Sequence, residues 1–67
     1  MTTTTGADRM RALFARLADL GYSEPWVRQH VLPDWWDDRA ADNPVGFTEA
    51  VWTIARALGI DAAALRG

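Results

Sequence analysis

The residues best placed to do chemistry are Asp34, Asp37 and Asp38, a carboxylate cluster that brackets Trp35 and Trp36. At i, i+3, i+4 spacing three carboxylates share one side of a helix. Such a cluster could hold a hard cation such as Mg²⁺ or Ca²⁺. The spacing is not that of a calcium loop, and acids near the start of a helix are favoured there by its dipole. No metal site is assigned, and no carboxylate pair for general acid–base work, since nothing nearby suggests a cleft. His30 is the one histidine, and it reads as a partly buried packing residue. Ser23 lies seven residues from it, about 10 Å along a helix, too far for a nucleophile–base hydrogen bond. There is no cysteine, no glycine-rich phosphate loop and no metalloprotease motif. The inventory implies no enzyme, no cofactor and no small-molecule substrate.

The remaining chemistry is that of contact. Taken as a helix, Pro33 occupies the first turn, where its missing N–H costs nothing. Leu32, Trp35, Trp36 and Ala40 then fall on one apolar stripe that also carries Arg39, and the aspartates fall on the other side. Trp35 and Arg39 stand at i, i+4, a spacing open to a cation–π contact. Trp36 stands at i, i+4 from Ala40, whose small side chain allows close packing. Trp36 is therefore expected in the core and Trp35 at the rim, where tryptophan serves as an interface anchor. Trp35, Asp34, Asp37, Asp38 and Arg39 are the candidate partner-binding residues.

Helices must position this centre. With 67 residues the chain makes one domain at most. A chain this short buries only about 60% of its unfolded surface, so aromatic packing, a partner chain or a larger parent protein must help it. Residues 1–6 read as a disordered threonine leader and residues 7–67 as a single helical domain. The first helix is predicted over Ala7 to Leu20, with Met10, Leu13, Phe14, Leu17 and Leu20 as its apolar stripe. Thr5 and Asp8 resemble a capping box, and Gly21 suits the left-handed stop. Ser23 starts a second helix that runs to about Val31, and Pro33 breaks the chain at Leu32. Asn43-Pro44 starts a further helix to Leu58, with Phe47, Val51, Ile54, Ala55 and Leu58 inside and Trp52 beside them. Gly59 stops it, and Asp61 caps a short last helix, Ala62 to Arg66. No segment alternates with period two, so no sheet is predicted.

Charge sorts the partners. Residues 1–32 carry four arginines against Asp8, Asp19 and Glu24, a net of +1. Residues 33–50 carry five acids against Arg39, a net of −4. An acidic island in a mildly acidic chain argues against strong binding to a phosphate backbone. No apolar run approaches the roughly 20 residues of a membrane span, so no membrane is implied and the cytoplasm is the default location. The expected partner is another protein or a second copy.

The run from Thr48 to Leu65 contains Ile54-Ala55-Arg56-Ala57-Leu58-Gly59-Ile60. It resembles the closing helices of Xre-type helix-turn-helix domains, where an "IA-x-x-LG-[IV]" step leads into a short helix ending in leucine. Leu20-Gly21-Tyr22-Ser23 resembles the end of the first helix of that family and the entry to its second. The Leu32-Pro33-Asp34-Trp35-Trp36-Asp37-Asp38 run is similar to the N-terminal region of certain Xre-like proteins, some accompanied by toxin or metallopeptidase partners. The resemblance covers about Ala7 to Leu65. It implies an all-α bundle of about five helices in a transcriptional regulator or antitoxin setting. The chain departs from the family where a recognition helix would enter the DNA major groove. Asp34, Asp37, Asp38 and Asp42 would meet phosphates there with the wrong sign. The function expected is a non-catalytic protein-interaction domain. The alternative is a DNA-binding helix-turn-helix repressor that uses Arg9, Arg11, Arg16 and Arg28.

Overall fold

The first helix, α1 (Gly6–Asp19), begins where Thr5 closes a capping box with Asp8. Thr5 Oγ1 accepts from the Asp8 amide at 3.2 Å, and Asp8 Oδ2 accepts from the Thr5 amide at 3.3 Å. The computed structural model describes residues 4–66. Of the leader expected over residues 1–6, residues 1–3 lie outside them, and Gly6 already belongs to the helix. Met10, Leu13, Phe14 and Leu17 form the buried stripe of α1. Leu20, expected on that stripe, is the exposed C-cap instead. Gly21 then takes a left-handed turn, and the Tyr22 amide returns to the Leu17 carbonyl at 2.8 Å. This is the Schellman stop that glycine at C′ allows.

Helix α2 (Glu24–His30) is two turns long and buries Val27 alone. His30 is exposed rather than partly buried, because only one side of so short a helix reaches the core. The chain leaves helical geometry at Leu32, as Pro33 requires. The helix expected to start at Pro33 does not form. Residues 33–36 make a turn in which the Trp36 amide donates to the Pro33 carbonyl at 3.0 Å. Asp37 is extended, and a 3-10 helix, Asp38–Asp42, follows. Two local forces oppose a continuous helix here. The Asp37 carboxylate accepts from the Arg39 amide two residues on, at 2.9 Å, which offers the backbone an alternative to the helical bond. Like charges at i, i+3 and i, i+4 among Asp34, Asp37 and Asp38 add repulsion.

Asn43 ends the 3-10 helix and caps α3 (Pro44–Leu58), its Oδ1 accepting from the Val45 amide at 2.9 Å. Ala50, Val51, Ile54 and Ala55 are its buried stripe. Gly59 is left-handed, with φ 69°, and the Ile60 amide donates to the Ala55 carbonyl at 3.0 Å. Helix α4 (Ala62–Arg66) closes the bundle and buries Ala62 and Leu65. The described residues thus form four α-helices and one 3-10 helix, with no strand.

The 3-10 helix lies between the starts of α1 and α3, and two glycines let it come close. A Cβ added at Gly46 would fall on the Ala40 carbonyl oxygen, and one added at Gly6 on the Asp38 carbonyl oxygen. The Gly6 amide donates to the Asp42 carboxylate. Arg9 Nη1 donates to the Ala41 carbonyl at 2.8 Å and to the Asp42 carbonyl at 3.1 Å, closing the open end of the 3-10 helix. Ala41 is thereby pressed fully into the core.

Candidate protein-interaction groove

The turn over residues 33–36 and the outward face of α3 enclose a groove of about 530 Å³. The turn supplies Pro33, Trp35 and Trp36, and α3 supplies Thr48, Glu49, Trp52, Thr53 and Arg56. A shallower depression of about 250 Å³ beside Pro44, Val45, Thr48 and Glu49 shares two lining residues with it.

Helix α3 spends Val51, Ile54 and Ala55 on the core, so Glu49, Trp52, Thr53 and Arg56 face outward. Trp52 is 55% exposed, Trp35 is 77% exposed and Val45 is 65% exposed. Trp36 instead packs half-buried against the core, with its ring centroid 6.5 Å from that of Trp35. Its Nε1 is buried and has no acceptor among the described residues. The groove therefore combines apolar walls with a rim of hydroxyl, carboxylate and guanidinium groups. That mixture suits the burial of apolar side chains behind a polar rim.

Of the five residues expected to bind a partner, Trp35 alone lines the groove. Arg39 does not cover the Trp35 ring. It pairs with Asp37, Nη2 to Oδ2 at 3.0 Å, because the absence of a helix destroys the i, i+4 relation. The Arg39 amide and then its guanidinium hold the Asp37 carboxyl below its ordinary range. Asp38 is a tie within the fold: its two oxygens accept from Arg28 Nη1 and Nη2 at 3.1 and 2.9 Å. Arg28 also donates to Glu24 at 3.0 Å and lies 4.6 Å from the Phe14 ring centroid. Asp34 is exposed on the turn and does not line the groove. The expected single acidic face is split three ways.

The arginines proposed for DNA divide as well. Arg9 and Arg28 are engaged with the 3-10 helix and with Asp38. Arg11 is exposed and pairs with Asp8 at 3.6 Å, and Arg16 is exposed on α1. Tyr22, just before α2, and Trp26 and His30 on it form a row of rings, with successive centroids 5.8 and 5.3 Å apart. Among the described residues no three His, Cys, Asp or Glu side chains are grouped to hold a metal ion. Among the described residues no helix is long and apolar enough to cross a membrane.

Sequence reasoning missed Glu49, Trp52, Thr53 and Arg56. The available signal was Trp52, a large aromatic that stands off the apolar stripe of its own helix. Comparison with protein-family models, with curated proteins and with solved structures finds no match to this chain.

Proposed function

We propose that this chain is a non-catalytic protein-interaction domain of a regulator or antitoxin-like protein, and that it docks its partner in the groove between the Trp35 turn and α3. The observation that carries this reading is the pair of exposed tryptophans, Trp35 and Trp52, facing one concavity. Exposed apolar side chains scattered singly need no explanation, but clustered ones rimmed by polar groups mark contact surfaces. Tryptophan is enriched among the residues that dominate binding energy. A helix-turn-helix scaffold is part of the proposal. On it the turn and 3-10 helix of residues 33–42 take the place of the recognition helix, which removes the element that reads bases and leaves tryptophan in its stead.

The test is photocrosslinking in the host cells, with a photoreactive phenylalanine analogue in place of Thr53. A protein adduct should form from position 53, and it should be lost when Trp35→Ala or Trp52→Ala is added. The same analogue at Ala15, exposed on α1, should not give that adduct. Equal labelling from both positions, or labelling indifferent to the tryptophans, would overturn the reading.

A further inference from the structure

We infer that the occupant of the groove is a second copy of this chain, seated by an antiparallel two-fold contact of α3 on α3. The inference rests on the reading of the groove as a docking surface and supplies its partner. Val45, Glu49, Trp52 and Arg56 fall within about 60° of one another around the helix axis. All four are exposed, and they form the outward stripe of α3. Glu49 and Arg56 stand seven residues apart, about 10 Å along the axis. Neither takes part in an ion pair among the described residues.

A two-fold axis crossing α3 between Trp52 and Thr53 makes this stripe complementary to itself. Glu49 then faces Arg56 of the second copy, and Arg56 faces its Glu49, so one contact yields two opposite-charge pairs. Trp52 of each copy lies beside the axis, so the two indoles meet at the centre of the contact. A parallel arrangement would set Glu49 on Glu49 and Arg56 on Arg56, which like-charge repulsion disfavours. An isologous contact also closes on itself and yields a dimer rather than a chain of copies. Trp35, on the lip opposite α3, covers the inserted helix from the side. One helix face and one turn make a small interface, of the kind found in weak and transient complexes.

Sedimentation velocity on the full chain over about 1–500 μM tests the inference, the range being that of weak association. The weight-average mass should rise from one chain toward two. Glu49→Arg alone and Arg56→Glu alone should each weaken the dimer by about tenfold or more, since each sets like charges opposite one another twice. The double variant E49R/R56E should recover wild-type association, and an equimolar mixture of the two single variants should form a heterodimer. Both substitutions are at exposed positions, and the mixture restores both pairs without a doubly altered chain. A wild-type chain that stays monomeric throughout overturns the inference. Single variants that associate as wild type do so too, as does a mixture that fails to pair. The crosslinked mass separates this failure from that of the underlying reading. A Trp35-dependent adduct at position 53 of any mass other than two chains removes the second copy but keeps the docking surface. No such adduct removes both.

Discussion

Adjacent tryptophans divide their work here because the chain turns between Pro33 and Trp36. Trp36 is directed into the core and Trp35 out of it. The sequence reading reached the same division by a helical stripe with Ala40 and Arg39, which does not exist. What was legible was the environment of each ring, not the geometry that produces it. Trp36→Ala should lower stability by about 3 kcal/mol, the cost of deleting a large packed side chain. Trp35→Ala should stay within about 0.5 kcal/mol of wild type, as surface substitutions do, while weakening association. The unpaired Trp36 Nε1 adds a sharper expectation. A buried donor without an acceptor costs about 1–3 kcal/mol, and phenylalanine has no such donor. Trp36→Phe should therefore melt much closer to wild type than Trp36→Ala. Equal losses for the two variants in thermal melts would show that the indole N–H gains a partner in solution.

At the scale of elements, α1, α3 and α4 were readable to within a residue or two because their caps are local. Thr5, Asn43, Gly21 and Gly59 act within four residues of the ends they set. The stretch over residues 33–42 was not readable, because distant groups decide it. Arg28 holds Asp38, Arg9 closes the last carbonyls, and Gly6 and Gly46 admit its backbone. By helix propensity alone, Gly46 is only a small penalty in the first turn of α3. Its lack of a Cβ is what lets α3 lie against Ala40. Gly46→Ala should therefore lose about 1–3 kcal/mol by overpacking, even though alanine favours a helix by up to about 1 kcal/mol. A Gly46→Ala variant that melts at or above wild type would refute the close approach. Asp37 offers a test by pH. Its folded-state pKa lies below the ordinary value, through the Arg39 amide first and the guanidinium second. Its contribution is therefore complete at neutral pH and is lost as pH falls through the lowered value. The difference in melting temperature between wild type and Asp37→Ala should be present at pH 7 and should shrink below about pH 4. A difference that persists unchanged to about pH 2 would assign Asp37 an uncharged role.

The whole molecule is small enough that its parts stand or fall together. A five-residue helix such as α4 is not stable alone. It is held because Leu65 reaches a core shared with Leu17 of α1 and Ile54 of α3. Leu17→Ala, Ile54→Ala and Leu65→Ala should each cost about 2–5 kcal/mol, a large part of the roughly 5–15 kcal/mol that a domain has in all. The all-α class was legible from periodicity for the same reason, since one core takes a stripe from each long helix. Partner class is also decided at this scale. The chain carries a formal net charge of −2. Of the four arginines that could have faced phosphates, Arg9 and Arg28 hold the 3-10 helix in place. Arg11 and Arg16 remain exposed on α1, and Arg11 is partly neutralised by Asp8. Two cations on one helix release few counterions, so the affinity they add is small and salt-sensitive. Duplex DNA should be bound weakly or not at all at physiological salt, as measured by fluorescence anisotropy across a salt series. Specific binding at about 10⁻⁸ M or tighter, abolished by Arg11→Ala with Arg16→Ala, would overturn the proposed role of the groove in favour of the outer face of α1.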